Sequence, residues 1–209
     1  HYPLRRQRQM CIRDRSYGFP FPYFDGSLSI SRASRTFPQY LIFKPSMVLT
    51  AALLIYYWKK NNLLINKLNN TEKLNYKFFT FGVLSAIFLI IHSLLLGIET
   101  DIKIFKLLRR LVLLGFIIFE IIAQGILVYN LYKLKDEIQD LSNRFILKIK
   151  IFLVTILSTV AILSLPILTT SGNVHFKHGL EWNYFIGVIL FYLLTRLFWK
   201  NLKPLTSNS

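Results

Sequence analysis

Five long apolar runs alternate with short, lysine-rich connections: roughly Leu41–Trp58, Lys77–Ile98, Leu107–Tyr129, Ile149–Thr169 and Gly179–Trp199. Each is close to the 17–25 residues a helix needs to cross about 30 Å of hydrocarbon. They are too long and too uniformly apolar for barrel strands, which alternate lipid-facing and lumen-facing positions. The pattern predicts an all-α fold, a polytopic transmembrane helical bundle with five spans over residues 41–200. An external segment over 16–40 precedes the bundle and a cytoplasmic tail over 201–209 follows it. Pro45 falls early in the first run, where a first helical turn accommodates proline. Pro166 predicts a kink or an end near the exit of the fourth.

Charge adds orientation. Hydrophobic residues make up 53% of the chain, yet its formal net charge is +16, from 26 Lys+Arg against 10 Asp+Glu. In a soluble protein this excess would point to nucleic acid. Here the basic residues sit between apolar runs, where positive-inside topology and anionic headgroups account for them, so no nucleic-acid partner is expected. The connections after the first and third runs and the C-terminal end carry thirteen basic residues, and the opposite side carries eight. The bias predicts a cytoplasmic C-terminus, with 61–75 and 136–143 also cytoplasmic and 171–178 external. Lys, Asn and Ile usage suits an AT-rich genome, so the expected location is a bacterial inner membrane.

Residues 1–15, HYPLRRQRQMCIRDR, break the pattern with five Arg and no apolar stretch. They read as a non-native leader similar to a translated adapter; a genuine basic arm is the competing reading. The single cysteine, Cys11, lies there, which removes disulfide, thiolate and cysteine-metal chemistry from the rest. Five spans with an external start are awkward for a chain without a cleavable signal. A sixth span ahead of the first is therefore expected in the intact protein.

The external segment carries a resemblance. Ile30-Ser31, Pro38 and Ile42-Phe43 fall, without a gap, on a signature reading Ile-Ser-x-Thr-Gly, then Pro-Glu, then Ile-Phe at the start of a helix. Gly179-Leu-Glu181-Trp182, followed by Phe191-Tyr192, Thr195 and Phe198, is similar to a final helix that opens with Glu-Trp or Glu-Tyr. Both signatures resemble those of the Frag/DRAM/Sfk family of six-helix membrane proteins, including the Cwh-type N-terminal domain, over about residues 22–200. Ala33 and Ser34 replace the usual Thr-Gly, and Gln39 replaces the acidic residue. A role needing a carboxylate at position 39 would be lost. The resemblance implies a six-helix bundle whose members are linked to lipid remodelling and asymmetry, and it gives Glu181 the family's acidic position.

Candidate sites follow from side-chain chemistry. Arg32 and Arg35, three apart, could fork around a phosphate or carboxylate, with Ser31 adding a hydroxyl; interfacial arginines and turn formers are the blander reading. Glu120 lies mid-span with Gln124 one turn later on the same face, a costly placement in hydrocarbon that suits ligand binding, proton relay or interhelical glue. His92, His178 and Glu181, with His175, make a weaker acid/base or metal candidate in the outer leaflet. Trp58, Trp182 and Trp199 fit aromatic interface anchors. No Walker loop, HExxH motif or nucleophile elbow occurs, so no cofactor and no metal are expected. The leading functional expectation is a non-catalytic protein that binds or organises membrane lipids. A small lipid or solute transporter using Glu120 and Gln124 is one alternative. A membrane-embedded lipid hydrolase or acyl-transfer enzyme centred on His92, His178 and Glu181 is the other.

Overall fold

A computed structural model of the chain describes residues 24, 26–30, 38–68, 74–96, 103–169 and 172–200. Among them are five helices long and apolar enough to cross a membrane. They are α1 (Gln39–Leu68), α2 (Lys77–Leu95), α3 (Lys103–Lys133), α4 (Arg144–Thr169) and α5 (Val174–Phe198). The protein is an all-α bundle, and among the described residues the only extended pairing is an isolated bridge between Ser142 and Trp199.

Each helix packs on the next in chain order, and the short connections make successive helices antiparallel. α5 closes back onto α1. The Tyr57 and Thr195 hydroxyls lie 3.0 Å apart, and the Tyr57 and Tyr192 rings meet edge to face at 4.7 Å. The core along this seam holds Trp58, Phe78, Leu127, Leu131, Phe191 and Phe198, all essentially buried. The outward faces are equally apolar. Leu53, Leu107, Phe152, Leu163 and Leu197 are each more than half exposed, which only hydrocarbon could cover without a large penalty.

Close packing rests on small residues, as it does where lipid tails are as apolar as the side chains. At Gly82 of α2 an added Cβ would run into the Trp58 indole of α1. That indole is completely buried, so Trp58 is a core residue. The expectation of an interface anchor there is corrected, because the notch at Gly82 gives the ring a seat inside the bundle.

Several helices outrun the apolar runs. α1 continues through Lys59 and Lys60 to Leu68 because Asn61 and Ile65, one turn apart, stay on the inner face at 7% and 1% exposure. Much of the expected 61–75 loop is therefore helix. α4 starts at Arg144 and carries Pro166 inside its last turn, continuing to Thr169. α5 starts at Val174, so His175 and His178 stand on its first turns and not in a loop. Residues 134–143 between α3 and α4 form a packed cap. Leu134 and Ile138 are fully buried, and backbone bonds of 2.8 and 2.9 Å tie Asn143 and Leu141 to Phe198 and Lys200 at the end of α5. Arg144 holds this cap on its exposed side through Asp136 and Gln139.

Candidate functional site

The mid-span carboxylate stands at the centre of a polar cluster drawn from three helices. Glu120 of α3 is fully buried. Gln124 Nε2 donates to its Oε1 at 2.9 Å, across one turn of the same helix. The Tyr192 hydroxyl of α5 also donates to Oε1. On the other side, Ser85 Oγ of α2 lies 2.7 Å from Oε2 and 2.8 Å from the Gly82 carbonyl. Glu120 and Gln124 are thus brought together as their spacing predicted. Among the described residues, Gln124 Oε1, also buried, has no hydrogen-bond partner, and neither has the indole nitrogen of Trp58.

A second cluster lies towards the opposite ends of α1 and α5 from Gln39 and Val174. Thr195 Oγ1 accepts a bond of 2.7 Å from Lys150 Nζ, lies 3.0 Å from the Tyr57 hydroxyl and reaches the Phe191 carbonyl at 3.1 Å. Lys150 is completely buried, its ammonium 4.0 Å from the centre of the Phe191 ring and 5.9 Å from that of Phe198. That placement supplies cation–π attraction to a group with no carboxylate within ion-pair distance among the described residues. Asn61 Nδ2 bonds the Tyr57 carbonyl at 2.9 Å, one turn further along α1. Tyr57 and Tyr192, with rings in contact, join the two clusters, so all five helices contribute to one polar seam.

Sequence reasoning counted Lys150 only as a topogenic charge of the connection after the third run, met Tyr192 and Thr195 only in the family resemblance, and did not consider Tyr57 or Ser85. The signal for Lys150 was its phase. Ile146, Lys150, Val154 and Leu157 recur at helical spacing, and all four are buried. The two tyrosines carried no such signal, since tyrosine suits both core and lipid interface.

The start of α5 does different work. Trp182 Nε1 donates to the Leu28 carbonyl at 2.8 Å, and His178 Nδ1 lies 2.9 Å from the Gly26 carbonyl. Gly26 takes a left-handed φ of +60° against the His175 backbone, where any Cβ would collide. Ser29 is buried beside this contact. The segment that runs into Ser31 is therefore fastened to the helix that carries Glu181, itself half-buried. Ser31, Arg32 and Arg35 lie outside the described residues.

His92 is buried near the end of α2. Among the described residues no three His, Cys, Asp or Glu side chains gather as they would around a metal ion. The weaker metal reading of His92, His175, His178 and Glu181 finds no support, since these side chains do not gather as ligands among the described residues, and His178 Nδ1 faces the Gly26 backbone. Comparison with protein-family models, with curated proteins and with solved structures finds no match.

Proposed function

We propose that this polytopic membrane protein binds membrane lipids at the end of the bundle where α5 begins, without catalysing a reaction of its own. One observation carries the reading: Trp182 and His178 fasten the backbone at Leu28 and Gly26, three and five residues before the Ser31–Arg35 stretch. An indole whose N–H is held by a backbone carbonyl suits the headgroup level of a bilayer. Holding the approach to Arg32 and Arg35 there lowers the entropy lost when two guanidinium groups close on an anionic headgroup. The Frag/DRAM/Sfk resemblance supports the same region, since one of its signatures, Ile30-Ser31, follows Leu28 directly and the other, Glu181-Trp182, includes the Trp182 donor. The bilayer proposed is a bacterial inner membrane, with the C-terminus cytoplasmic on the lysine bias.

The test is lipid competition on the purified protein, by native mass spectrometry with anionic and zwitterionic lipids. The double variant Arg32→Ala, Arg35→Ala should lose its preference for anionic lipid, and the Arg→Lys pair should keep only part of it. Trp182→Phe, which retains the ring and removes the donor, should weaken the preference and raise backbone hydrogen exchange at 26–30. Identical lipid preference in all four proteins would remove headgroup recognition from the function.

A further inference from the structure

One order of side chains recurs on the outward faces of two helices. On α1, Leu49, Leu53, Tyr56 and Lys60 follow at steps of four, three and four residues, which sets them along one face. All four are exposed, Tyr56 by 59%, and the Lys60 ammonium lies over the Tyr56 ring, 5.4 Å from its centre. On α3, Ile118, Ile122, Tyr129 and Lys133 line one face in the same order and are again exposed, Tyr129 by 57%. The Lys133 ammonium likewise lies 5.4 Å from the centre of the Tyr129 ring. Between Ile122 and Tyr129 the stripe passes over the half-buried Gly125. A Cβ there would meet Val154 of α4 at 3.9 Å and nothing nearer, so helix packing does not call for a glycine, which weakens a helix interior. Its missing side chain lowers the apolar stripe at that point.

An apolar stripe that ends in a tyrosine and then an ammonium matches, in order, the acyl chain, ester linkage and phosphate of a phospholipid lying along the helix. We propose that α1 and α3 each seat one anionic phospholipid, its acyl chain on the apolar stripe and its phosphate at Lys60 or Lys133. Tyrosine suits the level between chain and headgroup, with its ring on hydrocarbon and its hydroxyl available to an ester oxygen. The ring face also holds the ammonium by cation–π attraction, so less side-chain freedom is lost when a phosphate arrives.

Charge selects an anionic lipid over a zwitterionic one. α1 contains no acidic residue and α3 only the buried Glu120, so neither stripe offers a carboxylate to the amine of a zwitterionic headgroup. The acidic side chains described at this end, Asp136, Glu137 and Asp140, belong to the cap that follows α3, and Asp136 is taken up by Arg144. Lys59, Lys77 and Lys148 are exposed at the same end and add to its positive potential. A soluble anion would use the ammonium and leave the apolar stripe idle, whereas a phospholipid uses both. The seats lie at the opposite end of the bundle from Leu28 and Trp182 and are independent of the lipid contact proposed there.

Native mass spectrometry of the detergent-purified protein, with phosphatidylglycerol or phosphatidylcholine added, tests the seats. Every protein carries Arg32→Ala and Arg35→Ala, so that lipid held at the other end is not counted. This parent should retain two phosphatidylglycerol molecules several-fold more strongly than phosphatidylcholine, and Lys60→Gln and Lys133→Gln should each lose one of them. Tyr129→Leu keeps both the charge and an apolar side chain, and should loosen the α3 lipid several-fold. Gly125→Leu, which fills the low point of the stripe, should do the same. Lys67→Gln removes an equal charge from α1 at a position with Leu63, not a tyrosine, one turn before it, and should keep both lipids. Thermal unfolding in the same detergent confirms that each variant is folded. Equal losses in Lys60→Gln, Lys133→Gln and Lys67→Gln would reduce the binding to diffuse attraction and overturn the seats. Displacement of the lipid by inorganic phosphate alone, or equal retention of the two lipids, would overturn them as well.

Discussion

Replacing Glu120 separates the contribution of its hydrogen bonds from that of its charge. In Glu120→Leu, Ser85 keeps the Gly82 carbonyl at 2.8 Å and is not stranded. Gln124 Nε2 and the Tyr192 hydroxyl lose their shared acceptor inside the bundle. A polar contact between membrane helices contributes about 0.6 kcal/mol on average and up to about 2 kcal/mol. A buried donor left without a partner costs about 1–3 kcal/mol. Two stranded donors, offset in part by the added apolar packing, give a loss of about 1–3 kcal/mol. Glu120→Gln differs in kind. Its carbonyl replaces Oε1 as acceptor, and its NH₂ donates to Ser85 as a protonated carboxyl would, so the loss should stay under about 1 kcal/mol. Reversible unfolding of the purified variants in detergent measures both. A Leu variant as stable as the wild type would refute the claim that these bonds hold α3 to α5. A Gln variant as damaged as the Leu variant would show that the carboxyl's charge, and not its acceptor geometry alone, stabilises the bundle.

Gly82→Ala should destabilise the bundle by about 1–3 kcal/mol, because the new Cβ meets the Trp58 indole and α1 must move away; thermal unfolding reads it. Lys150→Met should leave stability unchanged or raise it by about 1–2 kcal/mol, since an unpaired buried ammonium gives way to an apolar chain of similar length. Lys150→Ala should instead lower stability by about 2 kcal/mol through the cavity it leaves, and a clear loss in the Met variant would show that the amine itself stabilises the fold. For topology, an impermeant maleimide should label Asn173→Cys and not Asn69→Cys in intact cells, and the reverse pattern would invert the orientation.

The order and type of the elements were legible in the sequence. Five apolar runs of membrane-crossing length leave a backbone in hydrocarbon only the helix as a way to satisfy its own donors and acceptors, so composition and length decide. The pairing of Glu120 with Gln124 was legible for a similar reason, since it depends on spacing within one helix. Helix ends were less so. Lys59, Lys60 and Arg144 mark where the apolar runs give way to charge, but a helix continues past them when an inner face such as Asn61 and Ile65 still has a core to meet. What brings Ser85, Tyr192, Tyr57 and Lys150 to one seam is the rotation of each helix about its axis, which packing against its neighbours sets and no single helix records. Trp58 shows the same limit. Nothing in its own run distinguishes an anchor at the interface from a ring in the core. The notch at Gly82, twenty-four residues further along and on another helix, decides it.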